Sequence, residues 1–149
     1  MMRIAFLLLA LLSLSASAGH AQRTPALGPR GGVSRSPDQA YLGVQGEFGP
    51  VFEGAHLAPS LDFGLGDHDV KILNADLRWY LIHLPETGLR FYGAAGPGLL
   101  LSPDTELGLN LTVGLLIPMK AHRRYNLEAR FGLGDIPDLK LGLSVLFSL

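Results

Sequence analysis

The chain contains no cysteine, which excludes disulfides and a lipid-modified N-terminal cysteine. Charge is also scarce. Lys, Arg, Asp and Glu make up 17% of the residues, against about 25% in an ordinary water-exposed domain. The formal net charge is -1, so there is no basic field to draw in nucleic acid. No segment has the 3.6-residue periodicity of a helix of useful length. The one long apolar run, Ile4 to Leu14, is shorter than the roughly 20 residues needed to span a bilayer as a helix. There is no phosphate loop, no dinucleotide fingerprint and no His set at metal-ligand spacing. No cofactor and no metal are therefore expected.

That apolar run follows Arg3 and is followed by small residues, the order of a secretory signal peptide. Cleavage after Ala18 or after Ala21 fits the small-residue rule, and Ala21 is preferred, giving a signal peptide over 1–21. From 22 to 40 the chain carries Pro25, Gly28, Pro29, Gly31, Gly32, Ser34, Ser36 and Pro37 with no apolar period. This composition predicts a flexible linker. The folded domain is expected over 41–149.

Within that domain the dominant signal is strict alternation. Leu107, Leu109, Leu111, Val113, Leu115 and Ile117 fall on one parity, and Glu106, Gly108, Asn110, Thr112 and Gly114 on the other. Tyr125 to Leu133 and Leu139 to Leu149 repeat the pattern, as do Tyr41–Phe48, Ala55–Leu65, Val70–Leu81 and Leu89–Leu101. Successive strand side chains point to opposite faces, so each segment reads as a strand with one greasy face and one small or polar face. Short turns rich in Gly, Pro and Asp join them. Pro59 and Pro97 interrupt two strands and predict bulges there. The fold class is all-β, an antiparallel up-and-down meander closing into a small barrel of about eight strands, seven of them clear.

Alternation leaves open which face is inside; composition decides it. A water-facing exterior carries many Lys and Glu, whereas this polar face is mostly Gly, Ser, Ala, Asn and Thr. Its charges are Glu47, Asp62, Asp76, Glu106 and Glu128 against Arg78, Arg90, Arg130 and Lys140, a set that can pair in a narrow lumen. The greasy face carries essentially no charge, as hydrocarbon requires. Phe48, Phe52, Trp79, Phe91, Tyr125 and Phe147 gather toward the rim that holds the C-terminus, as an interfacial aromatic belt does.

With those features the chain resembles the small, eight-stranded outer-membrane β-barrel proteins of Gram-negative bacteria. The resemblance covers roughly Tyr41 to Leu149 and rests on pattern. One strand is missing from the even number such barrels have, and 31–40 or 49–54 could hold it. The usual terminal aromatic is displaced to Phe147, before a final Leu149. The resemblance implies a transmembrane barrel in the cell outer membrane, with outer-membrane lipids and the outer-membrane assembly machinery as partners. It also implies a non-enzymatic, structural or interaction role in the cell envelope. Two other classes stand beside it: a periplasmic lipocalin-like carrier with an apolar cavity, and a membrane-embedded lipid A deacylase or acyltransferase built on His56 and Ser60. On a single strand those two residues are about 13 Å apart, too far for a nucleophile and its base. The rim with Asp67, Asp69, Asp104, Glu106, Asp135 and Asp138 fits either divalent cations or ordinary turn chemistry. Lys120, His122, Arg123 and Arg124 on the other rim fit either anionic head groups or a solvated turn.

Overall fold

The computed structural model describes residues 25–67, 70–101 and 104–149. The signal peptide over 1–21 and the first linker residues lie outside that range, as does Asp69. Eight strands follow in order: β1 (Ala26–Arg35), β2 (Gln39–Phe52), β3 (Ala55–Gly64), β4 (Lys71–Leu84), β5 (Leu89–Leu100), β6 (Glu106–Pro118), β7 (Arg123–Gly134) and β8 (Leu139–Ser148). Each is antiparallel to the next, and β1 pairs with β8, so the sheet is a closed barrel with no free edge.

The expected linker is corrected by β1, which occupies Ala26–Arg35 of it. The barrel therefore starts well before Tyr41, and the missing strand is found. Its concealment has a physical cause. The outward row of β1 is Leu27, Pro29, Gly31, Val33 and Arg35, too broken to read as a greasy face. Its inward row includes Gly28 and Gly32, where an added Cβ would overlap the backbone carbonyls of Val145 and Leu141 on β8. The seam that shuts the barrel is so tight that it requires the residues that made the segment look unstructured.

Pro59 and Pro97 do not shift the register. Pairing runs Gln45↔Ser60 to Phe48↔Leu57 with the same offset on both sides of Pro59, and Pro97 pairs with Leu109 in an unbroken ladder to β6. Each proline removes a donor without adding a residue. The irregularities lie elsewhere, between Phe48 and Phe52 on β2 and between Tyr80 and Ile82 on β4. In the second, Tyr80 pairs with Tyr92 and Ile82 with Phe91, leaving Leu81 extra. Leu81 and Ile82, adjacent in sequence, both face outward, 70% and 56% exposed.

The greasy parity is outside. Leu42, Val44, Leu107, Leu109, Leu111, Val113, Leu141 and Leu143 are all exposed, while Gln45, Asn74, Asp76, Arg78, Asn126 and Arg130 are buried. The β2–β3, β4–β5 and β6–β7 turns share one rim with the two chain ends of the barrel. The β1–β2, β3–β4, β5–β6 and β7–β8 turns form the other.

Candidate functional site in the lumen

Inward positions on all eight strands meet in one network of ions and hydrogen bonds that runs from rim to rim. Near the rim with the chain ends, Glu47 of β2 accepts a 2.5 Å hydrogen bond from the Tyr80 hydroxyl and lies 3.0 Å from Arg78 Nη1. His56 Nδ1 is 3.3 Å from the same carboxylate, and Arg124 Nη1 reaches it at 3.9 Å. His56 also packs edge-on against Tyr80, with ring centroids 5.2 Å apart.

At mid-depth the hub is Glu128 of β7. Arg30 Nη2 donates to it at 2.5 Å, Arg130 Nη2 stands 3.5 Å away, and Arg78, held to Glu47 through Nη1, comes within 4.0 Å of it through Nη2. Tyr92 and Asn126 close around the same carboxylate, with hydrogen bonds of 3.3 and 3.2 Å. The Tyr92 hydroxyl also donates to Asn126 Oδ1 at 2.7 Å, and the Tyr92 ring lies 4.0 Å under the Arg78 guanidinium. Gln45 and Ser144 complete this layer through a 2.7 Å bond from the serine hydroxyl to the amide oxygen.

Toward the opposite rim, Asp62 of β3 pairs with Lys140 of β8, and Arg30 Nε lies 3.1 Å from its other oxygen, in ion-pair range but not aligned as a hydrogen bond. Asp76 of β4 holds Arg130 Nη2 at 2.7 Å. Tyr41 packs under both Lys140, at 4.1 Å, and Arg30, at 5.5 Å. Above these ions sit uncharged groups: Asn110 donates to Asn74 at 2.7 Å, and Asn74 donates to Ser60 at 3.1 Å.

Among the described residues the buried charges are four acids, Glu47, Asp62, Asp76 and Glu128, and four bases, Arg30, Arg78, Arg130 and Lys140. A carboxylate or guanidinium taken out of water costs several kcal/mol, and only close opposite charges with hydrogen bonds to the remaining atoms offset that. Sharing supplies the opposite charges here, while Arg30 Nη1 and Arg78 Nε are left without a hydrogen bond. Glu128 serves three arginines, and Arg130 touches Asp62, Asp76 and Glu128.

A search of solved structures matches this barrel to the N-terminal β-barrel domain of Pseudomonas aeruginosa OprF. The TM-score is 0.69 and the sequence identity 16%, over 87% of this chain and 100% of that domain. The chain shares the fold of that domain, a closed barrel of eight antiparallel strands. No family model matches it, and no curated protein does. At such low identity the likeness is one of fold.

Of the nine lumen charges expected from sequence, the barrel brings together Glu47, Asp62, Asp76, Arg78, Glu128, Arg130 and Lys140. Two are corrected. Glu106, the first residue of β6, is exposed at the mouth, where water solvates it. Arg90 is half-buried one residue into β5, and its guanidinium stands 5.6 Å over the Tyr80 ring rather than against a carboxylate. Arg30 is the residue that sequence reasoning missed, because its strand was hidden. Arg124, expected to face lipid or solvent, instead turns inward to Glu47.

The six belt aromatics all take outward positions, five of them exposed and Phe48 half-buried. Phe63 and Phe131 are also exposed, toward the other rim. The hydrolase pair does not come together. Ser60 lies between Asn74 and Arg130, whereas His56 lies on Glu47 and Tyr80. The lumen is likewise the opposite of an apolar carrier cavity. Asp67, Asp104, Asp135 and Asp138 are exposed, and among the described residues no group of acids and histidines is arranged to hold a metal ion.

Proposed function

We propose that the protein is a non-enzymatic β-barrel of the cell outer membrane, with a structural or interaction role in the envelope and a lumen filled by its own side chains. The observation that carries this reading is the inverted distribution of polarity: leucines outside on every side of a closed barrel, ions inside. In water such a surface would drive aggregation. In a bilayer it is the required exterior, since the closed sheet leaves no strand edge unpaired. The fold likeness to an outer-membrane barrel domain supports the same location.

A lumen occupied by Arg30, Arg78, Arg130 and Lys140 with their partners leaves little room for solutes, as in other eight-stranded barrels. The partners proposed are outer-membrane lipids around the belt and the outer-membrane assembly machinery. The test is envelope fractionation with unheated and heated gel electrophoresis. Recovery in the outer membrane, with a mobility that changes on heating, is expected. Recovery in the soluble periplasmic fraction would overturn the reading.

A further inference from the structure

The β7–β8 turn, Asp135 to Asp138, folds inward. Its two ends, Asp135 and Asp138, are exposed, while Ile136 is 5% exposed and Pro137 is buried with it. An isoleucine at a barrel mouth would be expected to face solvent. Here it has a socket made of three inward glycines on adjacent strands: Gly98 of β5, Gly108 of β6 and Gly132 of β7. A Cβ placed at Gly108 would lie 2.6 Å from Ile136 Cγ1, one at Gly132 2.8 Å from the same atom, and one at Gly98 3.2 Å from Ile136 Cδ1.

The floor of the socket is polar. The same point at Gly98 is 2.9 Å from Asn110 Nδ2 and 3.0 Å from Asn74 Oδ1, so Ile136 and the Asn110–Asn74 hydrogen bond border one point in the lumen. Beneath that bond lie Ser60, Thr112 and Arg130. Above and beside Ile136 is an open cleft of about 290 Å³, bordered by Ser36 and Pro37 of the β1–β2 turn, Val70, Leu100 and Glu106.

We propose that Ile136 is an apolar cork that seals the lumen at this mouth, and that the Asp135–Asp138 segment is a hinged flap that can lift it. The chemistry of both surfaces fits. An apolar side chain across a narrow polar channel excludes water by dewetting, and three missing side chains leave a hole of the right size for it. The hinge is Gly134, at φ +96°, and the flap is latched by the Gly132 N–H donating to the Asp138 carbonyl at 3.0 Å. Local opening of such a segment breaks few interactions, whereas the eight-stranded sheet below must stay closed. With the flap raised, the cleft and the Asn110–Asn74 floor become one aqueous vestibule.

The absence of native cysteine makes the test clean. Asn110→Cys is placed in the full chain, folded in detergent micelles and checked by its heat-dependent mobility, then treated with a small water-soluble thiol reagent. Labelling is expected to be slow with Ile136 in place and about tenfold or more faster when Ile136→Gly is added, as loss of a local closed state requires. Equal rates would overturn the proposal. A second measurement does not depend on that double variant folding: Ile136→Cys should be protected and Asp135→Cys should react readily. Comparable reactivity at the two positions would show an unseated turn and would sink the cork. Because both readouts are made in micelles, they stand apart from the outer-membrane location.

Discussion

Arg30 and Glu128 are separated by 98 positions in the chain and meet at 2.5 Å inside the barrel, both buried. Their strands, β1 and β7, are separated around the sheet by β8, so neither local structure nor strand pairing puts them together. Removing the cation leaves Glu128 and Asp62 each short of a partner. Arg30→Met should therefore cost about 3 to 5 kcal/mol, the usual penalty of uncovering a buried charge. Urea midpoints of the folded barrel, followed by gel mobility, measure it. A loss below about 1 kcal/mol, the scale of an exposed pair, would mean that the network is not closed as described.

The exterior predicts a depth dependence. Leu111, 44% exposed in the middle of β6, should cost about 2 to 4 kcal/mol when changed to Arg, whereas Leu107→Arg, near the rim, should cost about 0 to 1. Folding equilibria in lipid vesicles give both values. Equal penalties would contradict a bilayer around this belt.

Closure should be sensitive to a single carbon atom. Gly28→Ala puts a Cβ into the carbonyl of Val145, a backbone atom that cannot rotate away. Gly31→Ala, three positions along β1 and on its outward row, meets the tip of the Leu42 side chain at 3.0 Å and the Tyr41 carbonyl oxygen at 3.3 Å, contacts that a shift of a few tenths of an ångström relieves. The first should abolish the heat-modifiable band and the second should keep it.

The bulge on β4 predicts that one deletion is tolerated and a nearby one is not. Removing Leu81 leaves Tyr80 and Ile82 consecutive opposite Tyr92 and Phe91, a regular ladder. Removing Leu77 would turn every following residue of β4 to the other face, placing Arg78 in the exterior. Folded yield of the two deletions should differ sharply.

What the sequence disclosed and what it hid follow from one rule. Parity is legible where one row is unbroken, so β6, with Leu107 to Ile117, was evident and its lumen residues Asn110 and Thr112 were placed correctly. β1 was not legible, because closure against β8 demands Gly28 and Gly32 while Pro29 and Gly31 break its outer row. Arg30 was lost with it; with Arg30 left out and Glu106 and Arg90 counted in, the lumen reads as five acids to four bases instead of four to four. Glu106 and Arg90 had the right parity, but parity does not report depth, and both lie near the ends of their strands. Ile136 was invisible for a different reason: it belongs to a turn, and its socket consists of glycines from three strands whose juxtaposition no local pattern records.

The seam between β1 and β8 also ties the ion network to closure of the ring. Arg30 stands on the first strand and Glu128 and Lys140 on the last two, so the Arg30–Glu128 and Asp62–Lys140 pairs join the two ends of the sheet. Until the ring closes, a partly formed sheet entering a bilayer would expose ions without counterions to hydrocarbon. In a bilayer, insertion and closure would thereby be coupled, the proposed membrane barrel entering as a ring or not at all.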